Sequence, residues 1–101
     1  MMKMKMIDDA FELAKTAYGA AGHAEAKDQL QKKYPRVEWG EIVQVYLKAC
    51  DLAEACYDFG NRCRDKKITE AQAVLEMQER FPGFSEITYK AALSHGYFIS
   101  R

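Results

Sequence analysis

The stretch that decides the fold is residues 39–63, which read WGEIVQVYLKACDLAEACYDFGNRC. On a helix with about 100° per residue, its apolar side chains cover an arc of about 200°, which is wider than a single packing partner can cover. We therefore predict a long central helix that the other helices surround. The sequence is compatible with two ends for this helix, an early one at Gly60–Asn61 and a later one at Arg64. The arc consists of Ile42, Val43, Val45, Tyr46, Ala49, Cys50, Leu52, Ala53, Cys56, Tyr57 and Phe59.

Two helices are predicted before the central one. The second begins near His23 and stops before Pro35, because proline disfavours helical backbone in the residue that precedes it. Gly19 and Gly22 are predicted to end the first helix. Apolar residues spaced four and three apart mark this first helix at Ile7, Phe11, Ala14, Tyr18 and Ala21.

Two more helices are predicted after the central one. Thr69 and Gln72 have the spacing of a capping box, and Pro82 ends the helix that they begin. Ser85 caps the last helix, which we expect to end at Gly96, with residues 97–99 folded back on the bundle. The apolar face of the fourth helix is predicted at Val74, Leu75, Gln78 and Phe81.

The fold class that follows is all-α, because no stretch alternates with the period of a strand. We expect a compact bundle of about five helices around the long central helix. The 101 residues, 49% of them hydrophobic, form a single helical domain over 1–101, with residues 1–6 frayed. Asp8 and Asp9 follow the methionine-rich start before any long apolar stretch, so we expect a cytoplasmic protein without a membrane span.

With 15 basic and 15 acidic residues, the chain lacks the excess positive charge of a general nucleic-acid binder and the excess negative charge of a nucleic-acid mimic, so polyelectrolyte partners are not favoured. Cys56 and Cys63 lie about 10 Å apart along one helix, too far for a disulfide or a shared zinc ion. We expect the three cysteines to be small buried hydrophobic residues, and His23 and His95 to act as local helix caps. No nucleophile, metal or cofactor motif is present, so we predict a protein that is not an enzyme and has no cofactor.

Binding to another protein is the function that the remaining features favour. Basic residues cluster at 32–36 and at 62–67, and four of the seven residues 61–67 are basic. Aromatic and arginine side chains contribute strongly to interfaces, although the basic clusters also suit the negative ends of helices. The candidate contacts are Lys32, Lys33, Arg36, Trp39, Arg62, Arg64, Lys66, Lys67, Tyr97 and Phe98.

In size, helical character and lack of catalytic motifs, the chain resembles the small inhibitors that phages and mobile elements encode, including anti-CRISPR proteins. This resemblance implies a partner that is a nucleoprotein complex, blocked sterically by an inhibitor that covers one of its surfaces. The balanced charge departs from the acidic DNA mimics of that group.

The alternative is a regulatory protein that binds nucleic acid through the two basic clusters. Residues 69–94 have the outline of a helix-turn-helix, but the second helix offers only Lys90 as a basic side chain. Direct binding of nucleic acid is therefore not favoured. The sequence leaves open the oligomeric state, since a second copy could cover part of the wide apolar arc.

Overall fold

The structure, a computed structural model, describes residues 2–100 of the chain and the side chains of residues 6–100. Within residues 2–100 it contains no strand, and its longest helix, α3, packs against each of the other four. The predicted all-α bundle around a long central helix is therefore confirmed. The helices are α1 (Met2–Ala14), α2 (Gly19–Lys33), α3 (Trp39–Arg64), α4 (Glu70–Arg80) and α5 (Glu86–Ile99).

The core lies along α3, and its composition follows the predicted apolar arc. Seven residues of the arc are buried, whereas Tyr57, which the arc included, is exposed. Phe11 of α1 and Phe84 before α5 complete the core, with their ring centroids 6.3 Å apart in an edge-on arrangement. The seven buried residues are Ile42, Val45, Tyr46, Ala49, Leu52, Cys56 and Phe59.

The crossing of α3 and α5 decides between the two predicted ends of α3 and corrects the predicted end of α5. α3 continues through Gly60 to Arg64, and α5 continues through Gly96 to Ile99. Both glycines are buried at the crossing, where the two backbones touch, so their lack of a side chain serves packing. Residues 97–99 form the last turn of α5 instead of folding back, and the side chain of Phe98 is 64% exposed.

The connection between α1 and α2 also differs from the prediction. α1 ends at Ala14, and α2 already begins at Gly19, whose φ of +72° only glycine adopts readily. Tyr18, predicted in the apolar stripe, lies in this turn and is 92% exposed. The predicted fraying of residues 1–6 does not hold for Met6, which is helical and buried against the core; the side chains before it lie outside the described residues.

The predicted caps of α4 and α5, and the predicted helix ends before Pro35 and Pro82, are confirmed. Thr69 and Gln72 form a reciprocal capping box, and the Ser85 side chain accepts a hydrogen bond from the Thr88 backbone N–H. The two aromatic-proline corners share one backbone geometry: φ and ψ are −124° and 68° at Tyr34, and −132° and 69° at Phe81. Each corner ends one helix and leads into the next.

The buried face of α4 differs from the predicted one. Ala73 and Met77 are fully buried, whereas Leu75 is 58% exposed and Gln78 is exposed. Compared with the predicted orientation, α4 is rotated about its axis, so that part of its apolar surface lies outside the core. This rotation leaves an apolar depression between α4 and α5.

Candidate functional site

The ten candidate contact residues lie at opposite ends of α3. Since the 26 residues of α3 span about 39 Å, the two basic clusters cannot contact one small ligand together. Lys32, Lys33, Arg36 and Trp39 lie where α2 leads into α3. The others lie where α3 and α5 end: Arg62, Arg64, Lys66, Lys67, Tyr97 and Phe98.

The corner between α2 and α3 is linked to α1 by an ion pair and a hydrogen bond. Lys33 Nζ lies 3.2 Å from Asp9 Oδ2, and the Tyr34 hydroxyl donates a hydrogen bond to the same carboxylate. Burial, followed by this hydrogen bond and the negative charge of Asp9, raises the pKa of Tyr34 to about 12. Trp39, beside these contacts, is 47% exposed. The corner thus presents one aromatic side chain to solvent, and Asp9 partly neutralises its basic charge.

The opposite end joins three helices around Tyr97. The Arg64 guanidinium lies 6.0 Å from the centre of the Tyr97 ring and donates hydrogen bonds to the Tyr97 carbonyl and to Ser100 Oγ. The Tyr97 hydroxyl donates to Glu70 Oε2 at 3.1 Å. Burial, and then the bond to Glu70, raises the pKa of Tyr97 to about 12, so the hydroxyl keeps its proton at neutral pH. These contacts hold Arg64 and Tyr97 in a fixed relative position.

Arg62, one of the predicted contact residues, forms an ion pair within the bundle. Its two guanidinium nitrogens donate to the two oxygens of Glu76 at 2.9 and 3.0 Å, and Arg80 donates to Glu76 at 3.1 Å. The hydrogen bond from Arg62 is the largest cause that lowers the pKa of Glu76. Arg62 therefore links α3 to α4, and the basic cluster at this end consists of Arg64, Lys66 and Lys67, which we call the basic end.

Lys66 occupies a backbone conformation that lysine rarely adopts. Its φ is +61°, and α3 ends there with the Lys66 N–H bonded to the Cys63 carbonyl and the Lys67 N–H bonded to the Arg62 carbonyl. This pattern is the Schellman motif, in which glycine is the usual residue at the left-handed position. Both lysine side chains are exposed. The chain thus reverses tightly at the basic end and presents two adjacent lysines to solvent.

A groove of about 660 Å³ runs between α4 and α5 and ends at Tyr97. Tyr97 also lines two smaller depressions, one shared with Arg64 and Phe98 and the other with Lys66 and Lys67. The apolar groove is therefore continuous with the basic end. The sequence analysis placed Val74 and Leu75 in the core and did not assign Leu93 to a site. We call this surface the α4–α5 groove, lined by Glu70, Ala71, Val74, Leu75, Gln78, Glu86, Lys90, Leu93, Ser94 and Tyr97.

A second depression, the central pocket, contains side chains that the sequence did not connect. It has a volume of about 510 Å³ and lies between α1, α2, α3 and α5. His23 was predicted to cap a helix; instead its Nδ1 lies 2.6 Å from the Tyr46 hydroxyl and 4.0 Å from Cys50 Sγ. His95, also predicted as a cap, lines the same pocket inside α5, and burial lowers its pKa.

The chemistry of Cys50 follows from its surroundings. It is half-buried in the central pocket, whereas Cys56 and Cys63 are buried as predicted. Burial is the largest cause that raises the pKa of Cys50, so at neutral pH the group is a thiol and a weak nucleophile. Among the residues that the structure describes, no group of three or more His, Cys, Asp and Glu side chains could hold a metal ion.

Comparisons with known proteins identify no relative. No protein-family model, curated protein or solved structure matches the chain. Within residues 2–100, no helix is both long enough and apolar enough to cross a membrane.

Proposed function

We propose that the protein is a non-catalytic binding module that holds a helical segment of a partner protein in the α4–α5 groove. The observation that carries this proposal is the position of Tyr97, which lines both the apolar groove and the depression that contains Lys66 and Lys67. Apolar grooves of this kind accept the apolar face of an amphipathic helix. The partner segment is one that presents apolar residues to the groove and acidic residues to Arg64, Lys66 and Lys67.

The dimensions of α4 limit the size of the bound segment. Its 11 residues span about 16 Å, which corresponds to about three turns of a partner helix lying alongside. Leu75 is exposed on one wall, while Leu93 contributes to the other. Burial of the exposed leucine would contribute to affinity, and the basic end would select partners by charge.

The first test is affinity capture from a lysate of the native host, with and without nuclease, followed by quantitative mass spectrometry. Leu75→Glu should abolish capture of the partner, because the bound helix would bury a carboxylate against its own apolar face. Ile87→Glu is the matched control, since Ile87 is 80% exposed but does not line the groove. Equal loss in both variants, or in neither, would reject the groove as the binding surface.

The basic end has its own matched pair of variants. The double change Lys66→Glu and Lys67→Glu should weaken capture, whereas Lys32→Glu with Lys33→Glu should leave it unchanged, because those lysines lie at the other end of α3. The opposite result would move the interface to the corner near Trp39. Circular dichroism and thermal unfolding of each variant verify that the fold is intact.

The resemblance to small phage and mobile-element inhibitors suggests a narrower version of this proposal. In that version the partner is a host nucleoprotein complex of the CRISPR surveillance type, and the inhibitor blocks it sterically. It predicts that the purified protein binds such a complex and restores phage plating on an immune host, and that Leu75→Glu loses both effects. Absence of binding to any such complex would leave the general binding module and exclude the narrower one.

The alternative function, binding nucleic acid through the basic clusters, is favoured by exposed basic side chains at both ends of α3: Lys32, Lys33 and Arg36 at one end, and Arg64, Lys66 and Lys67 at the other. It predicts a complex with duplex DNA or RNA whose affinity falls steeply as salt rises, because bound counterions are released. A partner lost on nuclease treatment, together with such salt dependence, would support this alternative over a protein partner.

A further inference from the structure

The central pocket is a second potential site, independent of the proposed interaction surface. It shares no lining residue with the α4–α5 groove, and its volume of about 510 Å³ is in the range typical of small-molecule sites. Apolar side chains from three helices surround it. They include Ala14 of α1, Leu47 and Ala53 of α3, and Ile99 of α5.

A small polar cluster lies on one wall of this pocket. The rings of His23 and Tyr46 meet edge-on with their centroids 5.7 Å apart, and Cys50 completes the cluster. When the Tyr46 hydroxyl donates to His23 Nδ1, the imidazole carries its proton on Nε2 and can donate it to a ligand. Lys27 lies one helical turn after His23 on the same face of α2, and both residues line the pocket.

The charges around the pocket favour an anion on the α2 side. Lys15 is paired with Glu12 at 2.8 Å, but no carboxylate of residues 6–100 forms a salt bridge with Lys27. Glu54 also lines the pocket, on α3, and the positive charge that lacks an ion-pair partner among residues 6–100 is that of Lys27 on α2. The α4–α5 groove has the opposite balance, since it is lined by Glu70 and Glu86, and Lys90 is paired with Glu86.

We propose that the central pocket binds a small molecule with an apolar body and one anionic group. The body contacts Ala14, Leu47 and Ile99, while the anionic group lies against Lys27 and His23. An anion there balances the charge of Lys27, and the apolar body covers Leu47 and Ile99, whose side chains are otherwise exposed to water. The Cys50 thiol lies beside the bound molecule and takes no covalent part.

Two fluorescent probes that differ in one group test the proposal. The anionic probe 1-anilinonaphthalene-8-sulfonate should bind the folded protein saturably at one site, and its neutral analogue N-phenyl-1-naphthylamine should bind about tenfold more weakly. Lys27→Glu should weaken the sulfonate probe by about tenfold or more and leave the neutral probe unchanged. Lys90→Glu, in the other groove, is the matched control and should change neither.

Cys50 provides an independent readout of where the probe binds. Saturating sulfonate probe should slow alkylation of Cys50 by iodoacetamide, as measured by peptide mass mapping, because the bound molecule covers the thiol. Unchanged Cys50 alkylation, equal affinity for the two probes, or loss of binding in Lys90→Glu would overturn the proposal. Thermal unfolding of both lysine variants verifies that they keep the fold and that the probes do not report unfolding.

Discussion

Gly60 of α3 and Gly96 of α5 face each other so closely that neither position has room for a Cβ atom. A Cβ on Gly60 would lie 2.2 Å from the carbonyl carbon of Gly96. A Cβ on Gly96 would lie 2.1 Å from the carbonyl oxygen of Cys56. Because the obstructing atoms belong to backbone, a rotamer change cannot relieve the overlap. This crossing sets the position of α5, and therefore of Tyr97, relative to the end of α3.

Gly96→Ala should destabilise the protein by about 3 kcal/mol or more, since α3 and α5 would have to separate. Gly40→Ala is the control: it lies in the first turn of α3, where an added Cβ meets nothing within 4 Å. That variant should be neutral or up to about 1 kcal/mol more stable, because alanine favours the helix. Urea unfolding measures both. A Gly96→Ala protein as stable as the wild type would show that the helices do not meet this closely.

The same two glycines show why some helix ends could be predicted and others could not. The ends at Pro35 and Pro82 and the caps at Thr69 and Ser85 were predictable, because each depends on residues adjacent in sequence. A glycine inside an apolar pattern can either end a helix or allow another backbone to approach. Which of the two applies depends on a partner helix that is distant in sequence.

The candidate site shows a similar division. The sequence predicted Arg64 and Tyr97 as contact residues, and the structure brings them together at the basic end. It did not predict that Glu76 of α4 engages Arg62, because that pairing requires α4 to pack beside α3. The contact between His23 and Tyr46 could not be predicted either, since the two residues are 23 positions apart and no local motif joins them.

The positive φ of Lys66 at the end of α3 leads to a prediction of increased stability. Lys66→Gly should stabilise the protein by about 0.5 to 1 kcal/mol, because glycine adopts a positive φ without the steric cost that lysine incurs. Lys67→Gly removes the same charge one residue later, where φ is not positive, and should not stabilise. Urea unfolding of the two variants compares them directly. A less stable Lys66→Gly protein would contradict the Schellman geometry.

The buried hydroxyl of Tyr89 links two backbone groups of the corner between α4 and α5. It donates to the Phe81 carbonyl at 2.5 Å and accepts from the Phe84 N–H at 3.3 Å. Tyr89→Phe should cost about 2 kcal/mol, because these backbone groups lose a partner in a region closed to water. Tyr18→Phe, at an almost fully exposed ring, should change nothing measurable. Equal thermal midpoints for the two variants would reject this role for the hydroxyl.

The pairing of Arg62 with Glu76 leads to a prediction about pH. The hydrogen bonds from Arg62, aided by Arg80, lower the pKa of Glu76 from its ordinary value of 4.5. A carboxyl whose pKa is lower in the folded state contributes stability above its unfolded pKa, and the contribution disappears as pH falls through the folded value. Glu76→Gln should therefore be less stable than the wild type at pH 7, with the difference shrinking steadily below about pH 4.5.

Urea unfolding of the wild type and Glu76→Gln from pH 7 to pH 3 measures this difference. Glu79→Gln is the matched control, since Glu79 forms no salt bridge among residues 6–100. Because the carboxylate of Glu76 is one-third exposed, salt should weaken its contribution, and the gap at pH 7 should narrow in 1 M NaCl. A gap that stays constant with pH would mean that the amide disrupts packing and that the ion pair does not link α3 to α4.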